Sequence, residues 1–205
     1  GLRFGFPIGE KESIGLGLGV DSTTITTYTN SPQYYVDYVK NFGETNLSIP
    51  LTLSWASDGK DSYFFPTKGT FQKASLEVAL PGGDLTYYRA SYQLQHFIPL
   101  TSRFTLMLNG EVGYAEGYGD SGLPFFKNFY AGGIGSVRGY KASSLGPLST
   151  DSSTGTVYRL GGNSRVIGNA ELLWGIPGME KSFRMGWFFD AGQVYGNDAA
   201  QSSSS

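Results

Sequence analysis

Apolar and polar residues alternate with a period of two along most of this chain, the mark of strands whose two faces meet different surroundings. Ile14, Leu16, Leu18 and Val20 lie on one face and Gly15, Gly17, Gly19 and Asp21 on the other. Leu47, Ile49, Leu51, Leu53 and Trp55 oppose Ser48, Pro50, Thr52 and Ser54, while Ala74, Leu76, Val78 and Leu80 oppose Lys73, Ser75, Glu77 and Ala79. Tyr88, Ala90, Tyr92, Leu94 and Ile98 oppose Arg89, Ser91, Gln93 and Gln95. Phe104, Leu106, Leu108, Val112 and Tyr114 oppose Thr105, Met107, Asn109 and Glu111. Val166, Ala170, Leu172, Trp174 and Ile176 oppose Asn169 and Glu171, with Ile167 and Leu173 breaking the pattern. Phe183, Met185, Trp187, Phe189 and Ala191 oppose Arg184, Gly186, Asp190 and Gly192, with Phe188 as the break. Together with residues 2–6 this predicts about eight strands, most of them long enough to cross a bilayer at a tilt, which takes roughly 9 to 11 residues. The apolar phase, including Trp55, Tyr92, Trp174 and Trp187, is expected to point outward.

The connections alternate as well. Short turns at Pro7–Lys11, Phe65–Gly69, Pro99–Ser102 and Pro177–Lys181 are interleaved with residues 29–46, Pro81–Asp84, residues 118–165 and the tail from Gly196. Short turns on one side and mostly long loops on the other are the habit of outer-membrane barrels, with the long side extracellular. A soluble β-sandwich would share the alternation but not this asymmetry. The expected fold is therefore all-β, a transmembrane antiparallel β-barrel. The inward faces are rich in Gly, Ser, Thr, Asn and Gln, which suits a lumen holding water or a plug and more strands than this chain supplies. The sequence begins inside a strand pattern and ends in Ser202–Ser205, and is expected to be a piece of a longer protein.

Composition agrees. Of 205 residues, 30 are Gly, 14 Tyr and 14 Phe, and only 16% are charged, against about a quarter in a soluble domain. No apolar run reaches the length of a transmembrane helix. The net charge of −2 and the lack of a basic cluster argue against nucleic acid as a partner. With no cysteine there is no disulfide framework or thiol chemistry. The single histidine, His96, sits on the outward phase between Leu94 and Ile98, with no serine beside it for nucleophilic catalysis. It is expected to be an interfacial residue. The acidic residues are dispersed and form no calcium loop. No enzymatic residue, metal or cofactor is expected.

The candidate site lies in the long loop. Asn128-Phe129-Tyr130-Ala131-Gly132-Gly133-Ile134-Gly135-Ser136-Val137-Arg138-Gly139-Tyr140 sets one arginine among glycines, with aromatics at both ends. Glycines at 132, 133, 135 and 139 permit a tight reversal. Arginine brings a fixed charge and a forked set of donors. If the loop folds into the lumen, its carboxylate partners come from the inward acids Glu111, Glu171 and Asp190. Tyr34, Tyr35 and Tyr38 suggest a packed lid in the 29–46 loop, and no site is assigned there.

Pro124-Phe125-Phe126-Lys127-Asn128-Phe129-Tyr130-Ala131-Gly132-Gly133, Val137-Arg138-Gly139-Tyr140 and Leu145-Gly146-Pro147 together resemble the BamA family, the central barrel subunits of the Gram-negative β-barrel assembly machinery. Phe65-Pro66-Thr67-Lys68-Gly69 resembles that family's periplasmic turn, and Phe188-Phe189-Asp190-Ala191-Gly192-Gln193-Val194-Tyr195 its thirteenth strand. The resemblance covers essentially the whole chain. It implies a partial C-terminal barrel domain over residues 1–205, about strands six to thirteen of a sixteen-stranded barrel, without POTRA repeats or closing strands. Val137, Arg138, Gly139 and Tyr140 would be the family's sixth-loop motif, Tyr140 standing where some members have Phe. Asp190 and Glu171 match its acidic positions. The implied function is folding and insertion of β-barrel proteins into the outer membrane through a lateral seam. Unfolded barrel proteins would be the clients, accessory lipoproteins would bind through the POTRA region, and the bilayer would be the third partner. Other readings are a TamA-like transporter, a two-partner secretion pore, and a passive porin.

Overall fold

The structure, a computed structural model, describes residues 1–28, 31, 33–119, 122–150, 155–179 and 182–196. The expected tail beyond Gly196, the side chain of Tyr34 and the Glu180-Lys181 part of one turn lie outside the described residues. In chain order the elements are β1 (Leu2–Pro7), β2 (Glu12–Leu18), β3 (Asp21–Thr24), α1 (Gln33–Phe42), β4 (Thr45–Asp58), β5 (Gly69–Leu80), β6 (Tyr87–Pro99), β7 (Phe104–Gly117), a 3₁₀ turn (Phe125–Lys127), β8 (Leu148–Thr150), β9 (Val157–Arg159), β10 (Ser164–Gly175) and β11 (Arg184–Tyr195). An antiparallel meander runs β1-β2-β4-β5-β6-β7-β10-β11 as an open sheet, with β3 also on β4 and β8-β9 forming a separate hairpin.

β2 and β3 continue one register on β4, Leu18 opposite Leu51 and Asp21 opposite Ser48. They part where Gly19 faces Pro50. The Gly19 N–H donates to the Pro50 carbonyl at 3.0 Å, and proline has no N–H to return the bond. The ladder loses one bond there while the strand runs on.

The registers carry the alternation across the sheet. Trp55, Ala74, Tyr92, Val112 and Val166 stand in one row. Trp174 and Trp187 share that face by strand parity. The opposite face carries Glu77, Arg89, Glu111, Asn169 and Asp190, and the long loop lies against it. The best-buried apolar residues are therefore found between loop and wall. One cluster joins Ala131 and Val137 of the loop to Ile167 and Val194, with Leu145 beside them. Another joins Ala79, Leu85 and Tyr87 to Leu123 and Phe126.

Two connections differ from expectation. Residues 29–46 hold a helix. Tyr35, Tyr38, Val39 and Phe42 recur at helical spacing in a stretch free of Gly and Pro, and Gly43 at φ 84° ends it, its N–H donating to Val39 O at 2.8 Å. Tyr35 and Tyr38 lie 4.4 and 5.3 Å from the Phe125 ring, so α1 is docked on the 3₁₀ turn as a lid. The β4–β5 connection is longer than the Phe65–Gly69 turn, because β4 ends at Asp58.

Candidate functional site

The tip of the long loop is a compact turn. Gly132 and Gly133 adopt φ of 109° and 93°, a region that L residues avoid. Gly132 N–H donates to Ser136 Oγ at 2.7 Å and Gly133 N–H to Val137 O at 3.1 Å. Val137 is thereby driven into the wall, where it is 1% exposed. It fits because Gly192 lies beneath it: a Cβ there would come within 2.8 Å of Val137 Cγ2.

The next residue, Arg138, lies over β10 and β11. Its Nε and Nη2 donate to Oδ2 and Oδ1 of Asp190 at 2.6 and 2.7 Å, and its backbone N–H adds a third bond to Oδ2 at 2.9 Å. Nη1 pairs with Glu171. The guanidinium carbon is 3.8 Å from the Phe188 ring centroid, a cation–π contact. Asp190 accepts a further bond from Asn169 Nδ2 at 2.9 Å, and the same nitrogen reaches Ser136 O at 2.7 Å. The Asp190 side chain is 2% exposed, so this full set of donors offsets the cost of removing its charge from water. The bond to Asp190 and the adjoining Glu171 raise the Arg138 pKa above the ordinary arginine range against some desolvation, and the group is charged throughout the accessible pH range.

The four motif residues are not equivalent. Val137 is buried, Arg138 is paired, Gly139 turns the chain at φ 88°, and Tyr140 is 56% exposed. Of the glycines expected to take the reversal, Gly135 keeps an ordinary φ. Glu111, expected among the partners of Arg138, pairs instead with Arg165 of β10. Arg165 Nη1 also donates to Tyr130 O at 3.0 Å, so this pair holds the loop by its backbone. Glu111 is opposite Ile167 in register, Asp190 opposite Asn169 and Glu171 opposite Met107, which puts Glu111 two residue pairs nearer the long-loop end of the sheet than Asp190 and four nearer than Glu171. Between these anchors Phe129 is 1% exposed, with Arg89 and Arg165 at 4.1 and 5.2 Å from its ring centroid.

Sequence reasoning missed Asn169, Arg165 and Arg89 as loop contacts. A signal for the docking surface was present all the same. Ile167 and Phe188 break the alternation on the inward face, and both receive the loop tip.

At the other end of the sheet the 59–68 connection also turns inward. Asp61 organises it by accepting from Thr67 Oγ1 at 2.6 Å, Thr67 N–H at 2.9 Å and Lys68 N–H at 3.1 Å. Desolvation raises the Asp61 pKa, but these donors together outweigh it and the carboxyl ends below its ordinary range. Arg184 of β11 donates to Pro66 O at 2.7 Å and Phe65 O at 2.8 Å. β4 and β11 are five steps apart in the sheet, roughly 24 Å if it were flat, so these contacts report its curl. His96, on the outer face, bonds Thr70 Oγ1 through Nδ1 at 2.7 Å.

A model described as the Omp85 superfamily domain matches residues 1–205. Outer membrane protein assembly factor BamA of Neisseria meningitidis serogroup B is 38% identical over 216 residues, covering 100% of this chain and 27% of that protein. The sorting and assembly machinery component 50 homolog of Mus musculus is 31% identical over 162 residues, covering 74% of the chain and 33% of the relative. Among solved structures, the crystal structure of BamA from Haemophilus ducreyi lacking POTRA domains 1–3 superposes with a TM-score of 0.83 at 26% identity, over 98% of this chain and 42% of that one. The chain thus spans about a quarter to a third of the length of these curated relatives.

Proposed function

Because this chain belongs to the Omp85 superfamily, we propose that it is the loop-bearing part of the barrel of an outer-membrane β-barrel assembly factor. Its relatives are named for assembly of outer-membrane proteins and for sorting and assembly machinery, which supports this role, and the Neisseria relative supports a place in the Gram-negative outer membrane. The observation that carries the reading is the docked tip, Arg138 bridging Asp190 and Glu171 on the inner wall.

The task is physical, with no bond to make or break. A strand entering lipid unpaired exposes N–H and C=O groups that each cost several kcal/mol. A barrel whose seam opens offers a strand edge, and the client pairs with it as it inserts. For that the rest of the wall must hold its curvature while the seam moves. The docked loop ties β7, β10 and β11 together from inside through Glu111–Arg165, Glu171 and Asp190. The clients are unfolded barrel proteins, and accessory lipoproteins would bind outside this segment.

The test is complementation by the intact protein. Arg138→Ala is expected to impair assembly of client barrels, read as loss of their heat-modifiable folded form, with Arg138→Lys recovering little because the fork is lost. Normal client assembly by Arg138→Ala at normal abundance would overturn the reading.

A further inference from the structure

The long loop is held to the inner wall at a further place, far from Arg138. Leaving β7, Tyr118 N–H donates to Thr86 O at 3.0 Å, and its hydroxyl donates to Ala79 O. Leu123 and Phe126 then pack on Ala79, Leu85 and Tyr87, none of them more than 1% exposed. Beside this cluster Lys127 Nζ donates to Glu77 Oε1 at 2.8 Å, and the Tyr87 hydroxyl donates to the same oxygen at 2.6 Å. The ammonium stands 5.1 Å from the Tyr87 ring centroid. The Lys127 and Glu77 side chains are 22% and 25% exposed, so water screens the pair only in part. The nearby cation of the wall, Arg89, stacks on Phe129, and the cation bonded to Glu77 comes from the loop.

Glu77 is on β5 and Asp190 on β11, four steps across the sheet, roughly 19 Å at about 4.8 Å a step. The segment between Lys127 and Arg138 contains the positive-φ glycines 132 and 133, a backbone with many alternatives once released. The Arg165 bond to Tyr130 O holds the middle of the loop, and Lys127 adds a tie nearer its root. Pinned at both ends, the loop is a strap across β5 to β11.

We propose that Lys127 and Glu77, with Tyr87 orienting the carboxylate, are positioning residues: they form a further electrostatic clasp that fixes the root of the loop and brings the Arg138 tip to Asp190 in one register. The consequence for client assembly rests on the function proposed above; the clasp itself does not. Glu77 is also opposite Arg89 in register, so reversing both signs would set an ammonium against that guanidinium; removing the two charges in turn isolates the pair instead.

The test uses the intact, membrane-inserted protein with Ala131→Cys as a maleimide reporter. Ala131 lies between root and tip and is 2% exposed, and the 205 residues contain no cysteine of their own. Lys127→Met and Glu77→Gln, each removing one charge of the pair, are expected to raise the labelling rate by about fivefold or more. The double variant should label within about twofold of the faster single one, because the pair is already broken. A double variant whose effect is the product of the two single effects overturns the clasp, and so do single variants that label at the parental rate. If Lys127→Met fails to accumulate, Lys127→Gln replaces it, and parental labelling there overturns the proposal equally. Client assembly is measured on the same samples. Fast labelling with normal assembly keeps the clasp and rejects the assembly role of the loop. Unchanged labelling with assembly lost in Arg138→Ala does the reverse.

Discussion

The tip of the long loop and the 59–68 connection both fold against the inner face of the sheet, and each is fastened by one arginine, but with the partners exchanged. At the tip the arginine belongs to the loop and the wall supplies two carboxylates, Asp190 and Glu171. At the other end the arginine belongs to the wall, Arg184, and the connection supplies the carbonyls of Phe65 and Pro66 as its hydrogen-bond acceptors, with Asp61 acting only through space. A charge pair with a nearly buried carboxylate is strong and demanding, since either partner left alone is costly. A guanidinium on neutral carbonyls is weaker, and losing it leaves carbonyls that water satisfies. The long-loop end of this sheet is therefore locked and the other end is lightly tied.

The comparison is tested hardest at the tip. Arg138→Ala strands Asp190 and should lower the stability of the docked loop by about 3 kcal/mol, the low end for a buried pair because Arg138 is itself partly exposed. Protease release of the loop against denaturant measures it, and full rescue by Arg138→Lys would show that charge alone suffices. Gly192→Ala leaves the pair intact and attacks its seat. The added methyl meets Val137 at 2.8 Å, and a loss of about 2 kcal/mol in the same assay is expected. Arg184→Gln should cost about 1 kcal/mol, read from cleavage within residues 59–68, with the tip undisturbed. An Arg184 effect as large as that of Arg138 would erase the distinction.

The smallest effect is in pH. The carboxyl of Asp61 is depressed in the folded connection, so its contribution is complete above the unfolded value of about 3.9 and is lost as pH falls through the folded value. Cleavage in residues 59–68 should rise only in that acid window, and Asp61→Asn should remove the pH dependence. The raised pKa of Arg138 acts in the opposite direction. Its contribution is present below the ordinary arginine range and is lost only above it, so the tip should show no arginine-driven change at working pH.

Much of this was legible in the sequence because a strand writes its environment with period two. The alternation gave the faces of Trp55, Tyr92, Trp174 and Trp187, and it placed Asp190 and Glu171 inward where a folded-in loop would need acids. The spacing of Tyr35, Tyr38 and Phe42 is helical too, but over so short a stretch it does not tell a helix from an irregular lid, and the docking on Phe125 decides it. Arg184 gave no signal, since its acceptors are backbone carbonyls that any residue carries.

By itself the sequence determined what each side chain of a strand can face, since that depends only on parity, and where charge must find charge, since an unpaired inward carboxylate is costly. It did not determine which charge meets which. Glu111 and Glu171 share a face and a chemistry. The registers of β7 and β10, together with the path of the loop, give the first to Arg165 and the second to Arg138. Pairing is a matter of distance across strands far apart in the chain, and only the tertiary structure sets those distances.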